Sequence, residues 1–468
     1  LYFGDQNHRK NSRRVLVPMK NNGKLASSFR DPSGFLFWRD GTLFRHLNKS
    51  YREDYRMLMN SGLYARLTIK RFLIPHTEID DHTIKPEIIP FISYPYEWCF
   101  SQLKDAALLT LQIQKEALDT GMILKDASAF NIQFLNGAPI FIDTLSFERY
   151  RAGEPWMGYR QFCQHFLAPL ALMAYDDARL NTLSRVFLDG IPLDLAARLL
   201  PWRSMMRPSL FIHLHAHAKS HGYVSAKPLE GRRMSAMNRA TLLRLTEHLE
   251  AAVRRLQWKP KGTEWANYYD ETNYSDQAMR EKANIVAGFL EKLAPKIVWD
   301  FGANTGFFSR LASDRGIATI SFDNDPAAVE KNYQEICKKH ETRILPLVID
   351  LTNPSPSLGW NNQERMTFLE RGSCDTAFAL ALIHHLAISN NLPFESIADL
   401  FGSVCHSLII EFVPKEDSNA QRLLVARKDI FPHYTRAAFE EAFEKHFLIK
   451  EIASVGDSQR SLYRMVRR

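Results

Sequence analysis

The sequence predicts an α/β protein, with a parallel sheet in its C-terminal half and an α+β arrangement in its N-terminal half. Three observations predict it. From about residue 264 onward, short apolar runs alternate with helical patterns, and strand, crossover helix, strand repeated in this way builds a parallel sheet. Three of those runs close on an acid, at Asp300, Asp323 and Asp350. In the N-terminal half, Asp40-Gly41 and Asn136-Gly137 each stand between apolar runs, a hairpin signal because a tight turn needs positive φ at both central residues.

At 468 residues the chain has a prior of about three domains. Hydrophobic residues make up 45% and charged residues 24%, a globular balance that excludes wholesale disorder. No run of 18 uncharged apolar residues exists, so no membrane-spanning helix is expected. Leu1-Tyr2-Phe3-Gly4 reads as the remnant of an engineered protease site, and the polar stretch 9–14 is not a signal peptide. The five cysteines (Cys99, Cys163, Cys337, Cys374, Cys405) are scattered, with no C-x-x-C pair. They point to a reducing, cytoplasmic setting and away from a zinc ribbon or disulfide framework. The net charge of +8, from 60 basic and 52 acidic residues, is a mild bias toward anionic partners and not a nucleic-acid signature.

The strongest composition break lies between Lys219 and Thr263. Lys227-Pro228, Gly231-Arg232-Arg233 and Lys259-Pro260-Lys261-Gly262 bracket an amphipathic stretch, 239–256, with Leu242, Leu243, Leu245, Leu249, Val253 and Leu256 on its apolar stripe. The expected division is an N-terminal α+β recognition or substrate domain over 5–225, a connecting helix and linker over 226–263, and a third unit over 264–468. A helix packed onto one domain is the alternative for the middle piece. In the third unit, strands are expected at 297–300, 318–322, 345–348, 376–382 and 408–410, with helices between them.

The most informative segment is Asp300-Phe301-Gly302-Ala303-Asn304-Thr305-Gly306, a strand end, a glycine-containing turn and a helix beginning near Phe307. Gly302 and Gly306 permit positive φ and close approach of a ligand to the backbone, and the helix start offers free N–H groups. Asp323 closes the next strand 23 residues after Asp300, where an acid can accept hydrogen bonds from ribose hydroxyls. A nicotinamide dinucleotide would want G-x-G-x-x-G. A carboxylate at Asp300 repels pyrophosphate and suits a cationic or zwitterionic ligand.

On these residues the segment resembles the class I S-adenosylmethionine-dependent methyltransferases, over about 200 residues from 264 to the C-terminus. Asp300, Gly302 and Gly306 match the family's first motif, with Ala303 between them and Asn304 where the middle glycine usually stands. Asp323, followed by Asn324, matches the ribose-binding acid. Asp350, followed by Leu351, matches the position that meets the adenine amino group. Ala379-Leu380-Ala381-Leu382-Ile383-His384-His385 matches the segment passing beneath the methyl donor, which brings in Ala381. The resemblance implies S-adenosyl-L-methionine as cofactor and a Rossmann-like, seven-stranded sheet with a reversed last strand, for which 462–466 is the candidate. The family's pre-motif segment often folds over the cofactor; here it carries Trp265, Tyr268, Tyr269 and Tyr274, with Ser275 as N-cap of a helix over 275–293. Packing of these aromatics within their own segment is the other reading.

His384 and His385 follow the fourth strand, where open α/β sheets place ligands, and an imidazole neutral near pH 7 can take a proton from an attacking group. Glu411, ending the next strand, is a comparable candidate. The ordinary alternatives are packing histidines and a salt-bridged edge carboxylate.

In the N-terminal half, Asp126 and Asn131 stand five apart in a loop, and Asp143 ends a strand after the Asn136-Gly137 turn. This set resembles the catalytic segment of protein-kinase-like and aminoglycoside-phosphotransferase-like folds, in which D-x-x-x-x-N supplies a base and a magnesium ligand, and a later Asp holds magnesium against phosphates. The resemblance implies ATP and magnesium at this half, a long helix over 100–120, and a hinge near Ile92-Ser93-Tyr94-Pro95-Tyr96-Glu97-Trp98. Two departures stand out. There is no glycine-rich phosphate loop and no V-A-I-K-like lysine, and Arg45 as a stand-in is a fork donor where lysine is a point charge. Turn capping by Asp126 and Asn131 is the alternative. His213, His215 and His217, with His221 nearby, have strand-like alternation, and the flanking Ala and Leu residues suit a helix as well; no acid or cysteine accompanies them, so no metal site is expected.

Taken whole, with Ile383-His384-His385-Leu386 and Tyr94-Pro95-Tyr96-Glu97-Trp98, the chain resembles methyltransferase-like nodulation host-specificity proteins. That implies a small-molecule or glycan-type acceptor. Three rivals stay open: an RNA or protein methyltransferase, kept alive by the basic connector 232–261; a bifunctional kinase–methyltransferase; and a docking protein with a vestigial donor site.

Overall fold

β10 (Ile297–Phe301) carries an almost continuous apolar run and is buried along nearly its whole length, as a strand covered on both faces by helices requires. It is an interior strand of a seven-stranded sheet in the computed structural model, which describes residues 23–216, 237–260, 275–425, 430–456 and 458–468. β11 (Ala318–Asp323) and β12 (Ile344–Val348) lie to one side of β10, and β13 (Cys374–Ala379) and β14 (Cys405–Phe412) to the other, all parallel. β16 (Ser461–Arg467) enters antiparallel between β14 and β15 (Phe447–Ser454). The order is therefore β12-β11-β10-β13-β14-β16-β15, with the reversed last strand that the resemblance implied.

Two departures from expectation have local causes. The strand expected over 376–382 ends at Ala379, because Ala381 takes φ of 51° and gives its N–H to Glu411 instead of to a neighbouring strand. β15 escaped notice because its apolar residues do not alternate: Leu448 and Ile452 are exposed on this edge strand. The helix Asp276–Leu293 starts as expected, with Ser275 Oγ accepting the Ala278 N–H at 3.1 Å.

In the N-terminal half, β1 (Gly23–Lys24), β2 (Gly34–Arg39), β3 (Thr42–Leu47), β4 (His76–Asp80) and β5 (Thr83–Pro86) form an antiparallel sheet in the order β1-β2-β3-β5-β4. The helices Arg52–Asn60 and Leu63–Ile69 lie between β3 and β4 in the chain. The long helix Phe100–Asp119 follows, then β6 (Met122–Leu124), which pairs with β9 (Phe147–Arg149), and the hairpin of β7 (Ile132–Leu135) with β8 (Ala138–Phe141). Both hairpin turns have positive φ at their two central residues, 48° and 75° at Asp40-Gly41, 54° and 78° at Asn136-Gly137. The long helix expected over 100–120 is present as Phe100–Asp119.

The helix Arg239–Arg255 packs Leu242, Leu249 and Val253 against Phe100–Asp119, and Lys115 pairs with Glu250 at 2.7 Å. Its apolar stripe thus belongs to the N-terminal half's packing. The two halves are themselves joined by one apolar cluster: the Phe91 ring meets Trp299 edge-on at 5.6 Å, and Phe134 meets Tyr333 at 5.9 Å. Within it lies an ion pair of Glu97 with Arg371, both oxygens used, at 2.6 and 2.8 Å. Neither side chain is more than 1% exposed.

Candidate active site

The carboxyl ends of β10 to β13 open into a cavity of about 390 Å³, where open α/β sheets hold their ligands. Asp300, Gly302, Ala303, Asn304, Asp323, Asn324, Asp350, Leu351, Ala381 and His385, all singled out in the sequence, line it.

Asp323 is held by the loop it faces. One carboxylate oxygen accepts the Asn304 N–H at 2.8 Å and the other the Asp325 N–H at 2.9 Å. Burial outweighs these donors and pushes its pKa up to about 6. Asp300 lies deeper; Ser309 donates to it at 2.6 Å and Ser321 donates to Ser309 at 2.7 Å, while burial raises its pKa to about 7. Asp350 is exposed at the rim and accepts from the Thr352 N–H and hydroxyl at 2.8 and 2.6 Å. Gly302 has φ of 71°, and a Cβ there would lie 3.2 Å from Leu382 Cδ1, so the turn is closed from below as well as open to a ligand.

Three expected assignments change. Gly306 does not line the cavity: its φ is 81°, and a Cβ would strike the Asn332 amide at 2.5 Å, so this glycine serves helix packing. Glu411 does not face an acceptor. It is fully buried beneath the cavity floor, and one oxygen accepts from Lys282 Nζ and from the Ala381 N–H, both at 2.7 Å. The reason is electrostatic: Lys282 is buried, desolvation lowers its pKa, and Glu411 opposes that shift. His384 is turned into the protein, 1% exposed, with neither ring nitrogen hydrogen-bonded among the described residues. Burial, with His385, Arg460 and Lys282 nearby, drives its pKa well below the usual imidazole range. His385 does reach the cavity, but burial and Arg460 push its pKa down to about 4, so it is neutral at pH 7 and a weak base.

Lys282 and Met279, which also line the cavity, were missed in the sequence. The signal was available for Lys282, since it interrupts the buried stripe Ala278, Val286, Phe289, Leu290 of its helix. A lysine on an apolar stripe asks for a buried acid. Tyr269, with Trp265, Tyr268 and Tyr274, lies outside the described residues.

The N-terminal set is also brought together. Asp126 accepts the Ser128 N–H at 3.0 Å, is held by Asn131 and Gln161, and has its pKa raised by burial and then by Asp143. Asn131 donates to Ser146 at 3.4 Å. Asp143 has both oxygens committed: one lies 2.7 Å from Arg45 Nη2 and accepts the Leu145 N–H, the other accepts from Ser146 at 2.6 Å. Arg45 also pairs with Asp31 at 2.6 Å. His213 and His215 stand on the helical segment Phe211–Ala216: His213 bonds Tyr159 and His248 at 2.8 Å each, and His215 bonds Ser204. His217 and His221 lie outside the described residues, among which no group of metal-ligand residues occurs. Nor is any described helix long and apolar enough to cross a membrane.

The strand order and register give the C-terminal half the class I methyltransferase fold. No protein-family profile matches the sequence. Over 457 residues the chain is 33% identical to nodulation protein NoeA of Rhizobium meliloti (strain 1021), covering 94% of this chain and 95% of NoeA. The chain belongs to the family of that protein. Among solved structures it is similar to magnesium protoporphyrin IX methyltransferase (ChlM) from Synechocystis PCC 6803, at 17% identity and TM-score 0.31 over 44% of this chain and 93% of that one. The N-methyltransferase NodS from Bradyrhizobium japonicum WM9 matches at 13% identity and TM-score 0.31, over 41% and 98%. The bifunctional kinase-methyltransferase WbdD matches at 17% identity and TM-score 0.31, over 43% of this chain and 42% of WbdD, less than half its length.

Proposed function

We propose that the C-terminal half is an S-adenosylmethionine-dependent methyltransferase acting on a small-molecule or glycan-type acceptor. The observation that supports this best is the charge of the cavity. Three carboxylates line it, while its lysine is already paired with Glu411. Such a wall disfavours pyrophosphate and suits a ligand carrying a sulfonium and an ammonium. Asp323 would take the ribose hydroxyls, Asp350 and Leu351 the adenine, and Gly302, Ala303 and Asn304 the amino-acid end above Asp300. S-adenosylmethionine, when bound, supplies an electrophilic methyl group. The chain supplies position: His385, Ser389 and Asn390 present imidazole, hydroxyl and amide partners to an acceptor at the β13 end of the cavity. With His385 a weak base, orientation and exclusion of water carry the reaction more than proton removal.

For the N-terminal half we propose recognition and not phosphotransfer. The Arg45 guanidinium neutralises Asp143, the residue that would hold magnesium. A thermal-shift comparison tests both statements. At 100 times its dissociation constant, S-adenosylhomocysteine should add about 2.7 kcal/mol of apparent stability, and ATP with magnesium should add none. Absence of the first shift sinks the donor assignment. A magnesium-dependent ATP shift abolished in Asp143→Asn sinks the second.

The donor site also predicts a pH dependence. Ribose hydroxyls donate to an ionised carboxylate, and Asp323 protonates at about 6 in the folded protein, well above an ordinary aspartate. Affinity for S-adenosylhomocysteine should therefore be highest at pH 8, weaken as Asp300 protonates through about 7 and fall further as Asp323 protonates through about 6, while the ligand's own ammonium keeps its charge. Calorimetric titrations from pH 5 to 8 check this, and a flat profile would remove Asp323 from the contact.

A further inference from the structure

Lys282 and Glu411 meet behind the wall of the donor cavity. Lys282 comes from the helix Asp276–Leu293 and lines the cavity, although its side chain is only 3% exposed. Its Nζ lies 2.7 Å from Glu411 Oε2 and 4.9 Å from the centroid of the Phe308 ring, which also lines the cavity. Asp300, another lining residue, is close enough to act on the Lys282 charge as well.

The pair also holds the backbone that a donor would rest on. The Glu411 oxygen that receives Lys282 accepts the Ala381 N–H at 2.7 Å. Ala381 lines the cavity with φ of 51°, and a non-glycine residue persists in that conformation only where its surroundings over-determine it. Buried ion pairs kept only for stability are often replaceable by apolar residues of similar volume at little cost. This one stands a single hydrogen bond behind the β13 end of the cavity, the end at which a methyl group would meet its acceptor.

We propose that Lys282 and Glu411 determine the donor site's preference between the sulfonium of S-adenosylmethionine and the neutral thioether of S-adenosylhomocysteine. The inference rests on the methyltransferase reading and deepens it. At this point the two ligands differ by one methyl group and one positive charge. The Glu411 carboxylate, acting from beneath the floor, favours the sulfonium; the Lys282 ammonium opposes it, and together they hold the local charge near zero. Both side chains are buried, so water and salt screen them little. Either charge left alone tilts the site, toward the donor if Glu411 remains and toward the product if Lys282 remains.

The test is calorimetric titration of S-adenosylmethionine and, separately, S-adenosylhomocysteine into the full chain and three variants at pH 8, where Asp300 is ionised. Glu411→Gln should lower the ratio of S-adenosylmethionine to S-adenosylhomocysteine affinity by about fivefold or more, and Lys282→Met should raise it by as much. Lys282→Met combined with Glu411→Gln should return the ratio to near that of the unaltered chain. All three variants keep a side-chain oxygen for the Ala381 N–H, and damage to the turn lowers both affinities together, leaving the ratio in place. A ratio unmoved in both single variants, or moved the same way in both, overturns the proposal. The double variant buries no lone charge and should fold even where a single one does not; a ratio moved about fivefold there also overturns it. If neither ligand binds the unaltered chain, the donor assignment fails and this inference with it; if both bind and the ratio stays fixed across the variants, this inference fails alone.

Discussion

Asp323→Ala is expected to weaken S-adenosylhomocysteine binding at least tenfold, about 1.4 kcal/mol or more. Two losses add. The carboxylate that would accept the ribose hydroxyls is gone, and the N–H groups of Asn304 and Asp325 lose the acceptor that now orders the turn between β10 and its helix. Unpaired donors of this kind cost about 1–3 kcal/mol each when buried, which is why the effect should exceed that of a single ligand contact. Asp323→Asn separates the two parts. Its amide oxygen can still accept one N–H, so the turn is better kept, but it accepts hydroxyls more weakly than a carboxylate. Asp350→Ala is the internal comparison, because Asp350 is exposed and its bonds are to its own turn, so a smaller loss is expected. Calorimetric titration decides, with a melting curve on each variant to confirm folding. Unchanged affinity in Asp323→Ala would refute the ribose assignment.

The parts of this site legible in the sequence are those fixed by backbone requirements. Gly302 must take positive φ, Asp323 must end a buried strand, and apolar runs without alternation must be covered on both faces; each leaves a local mark. What the sequence leaves open depends on partners far away in the chain. Glu411 reads as a strand-end acid, and only the fold shows Lys282, 129 residues earlier, reaching it from the cavity wall. His384 and His385 are adjacent and chemically alike, yet one is turned into the core and the other into the cavity. Asp143 has the spacing of a metal ligand, and nothing in that spacing shows Arg45, on another strand, 2.7 Å from its carboxylate. The spacing of a motif records which residues can meet; it does not record which partner reaches them first.

Arg371→Met is expected to destabilise the whole chain by about 3–5 kcal/mol, because it leaves Glu97 as a buried carboxylate without its counter-charge. Glu97 is 1% exposed and uses both oxygens on Arg371. Its remaining donors, the Tyr94 N–H at 2.9 Å and the Ser355 hydroxyl, are too few to replace a guanidinium. Arg371 also donates to Ile92 O at 2.9 Å and lies between the rings of Phe91, Tyr94 and Phe368, so methionine keeps much of the packing while removing the charge. Adding Glu97→Gln to Arg371→Met should recover part of the loss, since an amide in that place is cheaper to bury than a carboxylate, and the cycle isolates the coupling between the two residues. The pair also joins the halves: Glu97 comes from the segment before the long N-terminal helix, Arg371 from the segment before β13. With one apolar cluster running through both halves, the variant should unfold at lower urea in a single transition seen by both halves. A loss below 1 kcal/mol, or a double variant less stable than Arg371→Met alone, would show that the buried pair is not what holds the N-terminal half against the seven-stranded sheet.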